Sequence, residues 1–301
     1  MTALADARPR FSGHETFACR FSWIPKAVTL LIRDSTALSA DEEAMSTLGL
    51  GKNMVKALRF WLEVFDVATV ERGHWKLTPF GRVVFGTSGY DRYLERVETQ
   101  WLLQWKVTAQ SQRPLFVWRH VFFRRHRADF TRAEVLGELR RESRLAGYEH
   151  SDVTLKQHLD VFLHSYVSTA REGAPEDALD GPLIDLSLIN PAGRRISDDG
   201  RPEPVYVLTA RGRAPVPVVE YAILEFWHFR RKDETMVTLH DLAFAEGSPG
   251  ATLRIPEDEL RAHVLQSENY SVRISAGAGA LHRETTCVGG RLKDVYPRRR
   301  P

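Results

Sequence analysis

Acidic and basic side chains with distinct chemical uses occur together in the segment FSGHETFACRFSWIPKA, residues 11–27. Glu15 offers the hard carboxylate oxygen that Mg²⁺ prefers, and the adjacent His14 can hold a proton near neutral pH. Arg20 and Lys26 could neutralise a phosphate. We predict a catalytic role for His14 and Glu15, with Glu15 also as a metal ligand. The alternative is structural: Glu15 would cap a helix or pair with Arg20.

Other common phosphate-directed motifs are absent from the sequence. None of the eight lysines lies two residues after a glutamate, which excludes the Glu-x-Lys pair of restriction-type nuclease cores. The segment GLGK at 49–52 lacks the spacing of a Walker loop, and Gly277 and Gly279 lack the third glycine of a dinucleotide loop. Further polar candidates have no diagnostic spacing; they are His240, Asp241, Glu220, Glu225 and Asp294.

A second group of polar residues falls on one face of a predicted helix in LGLGKNMVKALRFWLEVF. Val55, Leu58, Leu62 and Phe65 recur at helical spacing and predict a buried stripe. The opposite face of this helix holds four residues that we predict to contact DNA: Lys52, Asn53, Lys56 and Arg59. Arg20 and Lys26 of the first segment are also predicted to contact DNA.

The elements that position these residues follow the order of a winged helix-turn-helix. Helices are predicted from Ile24 and from about Asp41, and the third covers roughly 51–65. Two short strands joined at Arg72-Gly73 follow, and Thr78-Pro79 opens another helix. The sequence therefore predicts an N-terminal winged helix-turn-helix.

The rest of the chain is predicted to contain further helices and a few strands. Helices are expected at 90–107 and 114–126, and a capping box at Thr131 and Glu134 begins a second helix-turn-helix, where Lys156 and Asp160 could pair. The fold class is α+β, mainly α, with a small mixed C-terminal domain. We divide the chain into a DNA-binding domain at 1–110, a helical second helix-turn-helix-like region at 111–204 and a C-terminal domain at 205–301.

Composition and charge favour a globular protein with a polyanionic partner. Of the 42 basic residues, 34 are arginines, and several cluster at 119–127, 140–144 and 229–232, although solvated helix faces also have such patches. Two cysteines cannot form a disulfide framework. We find neither a secretory signal nor an apolar run of membrane-spanning length, so we expect a cytoplasmic protein without membrane contact.

Two segments, FSGHETFACRFSWIPKA and LGLGKNMVKALRFWLE, together resemble the SspB-type DNA nickase family of single-strand DNA phosphorothioation systems. The family includes long-uncharacterised bacterial domains encoded beside phosphorothioation genes. The resemblance implies Mg²⁺-dependent nicking of one strand of double-stranded DNA, so that sulfur can be installed in the backbone for antiviral defence. It also implies three partners: a cysteine desulfurase, an ATPase and an enzyme of the phosphoadenosine-phosphosulfate-reductase type.

The resemblance maps onto two sets of positions. The first comprises Gly13, His14, Glu15, Phe17, Arg20, Trp23 and Lys26; the second comprises Gly49, Gly51, Lys52, Asn53, Met54 and Val55. The residues alone leave two other hypotheses open. One is a non-catalytic regulator or targeting subunit that binds a DNA sequence, which the missing nuclease signature favours. The other is a scaffold that touches DNA non-specifically.

Overall fold

The computed structural model describes residues 8–148, 150–168, 181–197, 200–209, 213–275, 278–282 and 291–296. The architecture is α+β and mainly helical, with three small antiparallel sheets, which confirms the predicted fold class at that level. Within these ranges no helix is both long and apolar enough to cross a membrane. Cys287 lies outside the described residues.

The first unit, residues 23–85, consists of three helices, a hairpin and a fourth helix. Their bounds are α1 Trp23–Arg33, α2 Asp41–Leu48, α3 Lys52–Val64, β1 Ala68–Glu71, β2 His74–Leu77 and α4 Pro79–Phe85. The hairpin turn is Arg72-Gly73, where both φ angles are positive, at 51° and 82°. Thr78 caps α4 by accepting from the N–H of Gly81. The predicted elements are therefore present in the predicted order, while their winged helix-turn-helix arrangement stays a prediction.

The second unit, residues 116–208, places a short strand before two helices and a hairpin after them. Its elements are α6 Phe116–Arg119, a π-helical turn His120–Arg124, β3 Asp129–Thr131, α7 Arg132–Leu145, α8 Asp152–Tyr166, a 3₁₀ turn Ile184–Leu186, β4 Ile189–Ile196 and β5 Pro202–Leu208; α5 Val97–Thr108 precedes it. The sheet order is β3-β5-β4. The predicted capping box at Thr131 and Glu134 is present.

The third unit, residues 216–282, has a similar order; among the described residues, three α-helices lie between its first strand and its hairpin where the second unit has two. Its elements are α9 Val216–Arg230, β6 Met236–Thr238, α10 Leu239–Phe244, α11 Pro249–Leu253, α12 Glu257–Gln266, β7 Ser271–Ser275 and β8 Ala278–His282, followed by α13 Leu292–Val295. The sheet order β6-β8-β7 matches that of the second unit, because the first strand again pairs with the last. The second and third units thus share one sheet topology.

One continuous hydrophobic core runs through all three units. The stripe of α3 is buried, with Val55, Leu58 and Leu62 fully inaccessible. Three tryptophans that follow the first unit in the sequence are also buried; they are Trp101, Trp105 and Trp118. β5 continues through residue 204, where the second of the three predicted domains would end. The three-domain division stays a prediction.

Several local predictions were wrong for identifiable reasons. The helix expected at 90–107 begins only at Val97, because the carboxylate of Asp91 accepts the backbone N–H groups of Glu95 and Arg96 and holds a turn there. The helix expected at 114–126 ends at Arg124 in the π-helical turn. Asp160 pairs bidentately with Arg132, at 2.6 and 2.7 Å, rather than with Lys156.

The weak glycine motif of the C-terminal region also has a structural explanation. Gly277 lies outside the described residues, whereas Gly279 lies on β8. A Cβ atom at Gly279 would come within 2.2 Å of Leu239, so close packing accounts for this glycine. A phosphate-binding loop is not needed to explain it.

Candidate nucleic-acid interface

The N-terminus of α3 is presented by a tight turn after α2. Gly49 ends α2 in the left-handed conformation, with φ 66° and ψ 33°, and Gly51 is the N-cap of α3 without a side-chain cap. The first backbone N–H groups of a helix have no intrahelical acceptor, and they form the positive end of its dipole. This end of α3 is therefore suited to an anion.

Three of the predicted DNA-contact residues are exposed at or near this helix end. Lys52 is the first residue of α3, Asn53 follows it, and Lys56 lies one turn later. The charges of Lys52 and Lys56 help to lower the pKa of Asp41, although the hydrogen bond from Arg59 contributes most. The two lysines therefore act on the same neighbouring carboxylate and belong to one cationic surface, the α3 surface.

Arg59, the fourth predicted residue on α3, is engaged within the protein. Its Nε donates to the carbonyl oxygen of Leu38 at 2.7 Å, and its Nη1 donates to Asp41 at 2.6 Å. Its side chain is largely buried. Arg59 thereby ties α3 to the start of α2, and its predicted role in DNA contact would have to compete with these bonds.

The opening segment is packed against the other side of α3. Gly13 has φ 111°, and a Cβ atom at this position would lie 2.7 Å from the ring of Phe60, so only glycine fits without movement. The indole N–H of Trp61 donates to the carbonyl of Phe17 at 2.9 Å. Arg20 stacks over Trp23, whereas Lys26 is exposed on α1. α3 therefore positions the segment.

His14 is buried and faces a histidine from the second unit. Its Nε2 lies 3.0 Å from Nδ1 of His158, and the two rings are parallel. The N–H of Thr16 donates to Nδ1 of His14. Burial lowers the pKa of His14 to about 4. Burial also lowers the pKa of His158 well below its usual range, with smaller contributions from His14 and His150. Both nitrogens of His14 are thus used inside the protein, and its catalytic role stays a prediction.

Glu15 lies in a strained turn at the edge of this contact. It has φ 47°, and Thr16 has φ 67°, both in the left-handed region. Its side chain is half-buried and has no hydrogen-bond or ion-pair partner among the described residues. The helix cap of α1 is Ser22, so Glu15 does not cap that helix.

The described residues do not form a ready Mg²⁺ site around Glu15. In this part of the chain no three His, Cys, Asp or Glu side chains are grouped so as to hold a metal ion. His14, which precedes Glu15, already uses both ring nitrogens in hydrogen bonds within the protein. Mg²⁺ prefers oxygen ligands and is often held by one or two carboxylates together with waters and substrate phosphates, so the described side chains around Glu15 do not by themselves complete a site for the ion.

The basic run at 119–127 is neutralised within the protein rather than free for a polyanion. Arg119 forms two bonds to Glu246, at 2.5 and 3.2 Å, and His120 contacts both Glu138 and Glu142. The remaining pairs are Arg124 with Glu142, Arg125 with Glu134 and Glu138, and Arg127 with Asp129. The sequence shows the cluster of basic residues, but no local pattern indicates that acidic residues of α7 pair with it.

Two of the further acidic candidates, Glu220 and Asp241, also have structural partners. The carboxylate of Glu220 accepts from His263, Ser267, Asn269 and Tyr270, at 2.6–3.0 Å. Asp241 lies in the first turn of α10, where it bonds Thr238 and contacts Arg231. These groups are satisfied and leave the α3 surface as the stronger candidate site.

Comparison with known proteins places this geometry in a family. The sequence profile of a family described as "Protein of unknown function (DUF4007)" matches residues 11–287. The chain belongs to this family. Two solved structures of SspB are similar over most of their length, and no curated protein sequence matches the chain.

The two SspB structures also resemble the chain at the level of its whole fold. The magnesium ion-bound SspB crystal structure has a TM-score of 0.78 and 26% identity, covering 94% of this chain and 86% of that one. The other SspB crystal structure has a TM-score of 0.76 and 25% identity, covering 93% and 85%. The predicted SspB-type family is therefore confirmed, and the family match includes both the opening segment and α3.

Proposed function

We propose that the chain is a DNA-binding component of a phosphorothioate modification system, and that the first unit is a winged helix-turn-helix whose α3 contacts DNA. The observation that carries this proposal is the charge at the start of α3. A lysine at the first position of a helix opposes the helix dipole and lowers helix stability. Helix stability therefore does not account for Lys52, whereas a phosphate bound there would favour both the lysine and the free N–H groups.

The surrounding elements support the same function. α2, the turn at Gly49 and α3 have the order of a helix-turn-helix, and the hairpin that follows carries the exposed cation Arg72 at its tip. Membership in the SspB-type family supports the link to phosphorothioation. The desulfurase, ATPase and reductase-like partners, and the cytoplasmic location, stay predictions from that resemblance.

Binding of fluorescent duplex DNA tests this proposal. Lys52→Ala/Lys56→Ala should weaken binding by about tenfold or more, since each phosphate contact contributes to affinity. A matched control is Lys232→Ala/Lys293→Ala, which removes two cations from the third unit and its following helix. If both double variants bind as tightly as the wild-type protein, the α3 surface is not the DNA site.

We further propose that the chain nicks one strand of DNA with Mg²⁺. The support is its similarity to an SspB that was solved with magnesium bound. Glu15 is the predicted ligand, and when bound the ion would neutralise phosphate charge and activate water. Because the described side chains form no group of three possible ligands, phosphate oxygens of the DNA and water would complete the coordination of the ion.

A supercoiled plasmid distinguishes nicking from binding alone. Wild-type protein should produce open circles with Mg²⁺ and none with a chelator. Glu15→Gln should stop nicking and leave duplex affinity and unfolding temperature unchanged. Full nicking by this variant would end the assignment of Glu15. A wild-type protein that binds but does not nick would establish the alternative, a non-catalytic targeting or regulatory protein, which the internal engagement of His14 favours.

A further inference from the structure

A cleft of about 360 Å³ lies between the first and third units, away from the α3 surface. Glu63 and Asp66 contribute from the end of α3 and the turn after it. Gln112 and Arg113 contribute from the loop after α5, and Phe229 contributes from the end of α9. The cleft is within the size range of small-ligand sites.

One wall of the cleft carries an aromatic ring that faces solvent. Phe229 is 68% exposed, although α9 is otherwise mostly buried. An exposed aromatic ring on the wall of a cleft is a platform on which a planar group can stack. The ligand that fits this wall therefore contains a flat ring.

Two guanidinium groups, those of Arg10 and Arg113, also line the cleft. Arg10 is largely buried and donates to Glu63 at 3.2 Å, whereas Arg113 is exposed and has no hydrogen-bond or ion-pair partner in the described parts of the chain. Burial, followed by the charge of Arg113, lowers the pKa of Arg10. The two like charges thus act on one another, and an anion between them would relieve the repulsion.

The mixed signs of the remaining groups narrow the class of ligand. Glu63 is paired with Arg10. Asp66 is paired at 2.8 Å with Lys106, which also lines the cleft. The paired carboxylates still disfavour a bare oxyanion, and the cations disfavour a simple cation. A nucleotide combines a phosphate for the arginines with a planar base for Phe229. The amino group of a base such as cytosine can also donate to a carboxylate, and the amide of Gln112 can bond a base edge.

We propose that this cleft binds one unstacked nucleotide of a DNA strand, with the base against Phe229 and the phosphate at Arg10 and Arg113. The inference rests on the proposed DNA function and extends it. It assigns a second binding site that takes single-stranded rather than paired DNA. Such a site would hold a base that has left the duplex, as proteins that act on unpaired nucleotides do.

Binding of labelled oligo-dC and oligo-dT to the full chain tests the cleft. Phe229→Ala should weaken oligo-dC binding by about tenfold, the effect of losing one stacked base, and Arg113→Ala should weaken it similarly. The matched control is Phe244→Ala, because Phe244 is 56% exposed on α10 and outside the cleft wall. This control should bind like the wild-type protein. Free dCMP should compete better than dTMP, because only cytosine carries the amino group.

Duplex binding measured on the same variants separates the two proposals. Duplex affinity lost in Lys52→Ala/Lys56→Ala but kept in Phe229→Ala supports two distinct sites. Wild-type protein that binds duplex but not oligo-dC would overturn the cleft proposal alone, and so would equal oligo-dC affinities of Phe229→Ala and Phe244→Ala. Wild-type protein that binds oligo-dC through Phe229 but not duplex would leave the cleft standing and remove the α3 proposal.

Discussion

The first and third units place helices of opposite charge in the same position of their element order, just before the final hairpin. α3 begins with Lys52 and Asn53, whereas α12 begins with Glu257, Asp258 and Glu259, all exposed. Acidic residues at a helix N-terminus stabilise the helix through its dipole, and α2 has them too. α12 therefore has the charge that helix stability favours, and α3 does not.

If α3 contacts DNA as we propose, this difference separates a structural use of a helix from a functional one. The start of α12 needs no partner to explain its charge, and its acidic residues would repel DNA phosphates. The start of α3 carries a charge that is unfavourable for the isolated helix and favourable for phosphate. A shared order of elements thus does not imply a shared ligand. The side chains in the first turn of the helix determine which ligand the helix can bind.

The largest expected effect comes from reversing the charges of the two helices. Lys52→Glu/Lys56→Glu should weaken duplex binding by about 100-fold or more, because two attractive contacts become repulsive. Glu257→Lys/Glu259→Lys should change affinity by less than about threefold. Fluorescence anisotropy at fixed salt measures both. Equal losses in the two variants would remove the functional distinction between the helices.

The variant Arg59→Met tests whether the α3 surface includes Arg59. Arg59→Met removes the bonds to Leu38 and Asp41, so the free energy of unfolding should fall by about 2 kcal/mol. The control Lys56→Met, at an exposed position, should stay within about 0.5 kcal/mol of wild type. Urea unfolding measures both. If Arg59→Met stays as stable as the control and loses DNA affinity, Arg59 belongs to the DNA surface after all.

The histidine contact behind α3 predicts that the stability of the protein is sensitive to acid. His158 is buried with its pKa far below the usual value, and His14 and His150 are the titratable groups acting on it. The unfolded chain binds a proton near pH 6.5 and the folded chain does not. Stability should therefore be complete above pH 6.5 and fall as the pH decreases below it.

Thermal unfolding between pH 7.5 and pH 5 measures this dependence. We expect the wild-type Tm to fall by about 4 °C, since a loss of 1–2 kcal/mol moves the Tm of a chain this long by a few degrees. His158→Gln can still accept from His14 and does not titrate, so its Tm should be lower at pH 7.5 but change less with pH. An unchanged slope in this variant would assign the acid sensitivity to other groups.

The smallest expected effect is in the salt dependence of binding. Lys56→Gln should reduce the slope of log affinity against log salt by about one, with a loss of affinity of about threefold. Glu259→Gln should leave the slope unchanged. Titrations from low to moderate salt measure it. An unchanged slope for Lys56→Gln would mean that this lysine does not contact a phosphate.

Local patterns predicted much of the first unit from the sequence. The apolar spacing of Val55, Leu58 and Leu62 located α3, and Arg72-Gly73 located the hairpin turn, because both signals come from neighbouring residues. The start of α5 was missed because a side-chain cap at Asp91 competes with the helix. The repeated topology of the second and third units was missed because each sheet pairs strands that are far apart in sequence.

For the candidate site, the sequence indicated which residues are exposed but not which residues contact one another. Lys52, Asn53 and Lys56 are exposed as the helical spacing requires. The contact between His14 and His158 joins residues separated by 144 positions, which no local spacing indicates. The bonds of Arg59 likewise depend on how α2 packs against α3. The roles predicted for His14 and Glu15 are tested by the nicking assay described above.

The contact between His14 and His158, and the bridge between Arg10 and Leu115, have a consequence for protein synthesis. Both join the opening segment to parts of the chain that the ribosome makes much later. The helices of the first unit can form as they emerge, because their stripes are local. Phe17 and Gly13 can dock against α3 early, but His14 must wait for its partner until α8 has been translated. A ribosome stalled before α8 is complete would therefore hold a folded α3 beside a His14 that is still solvated.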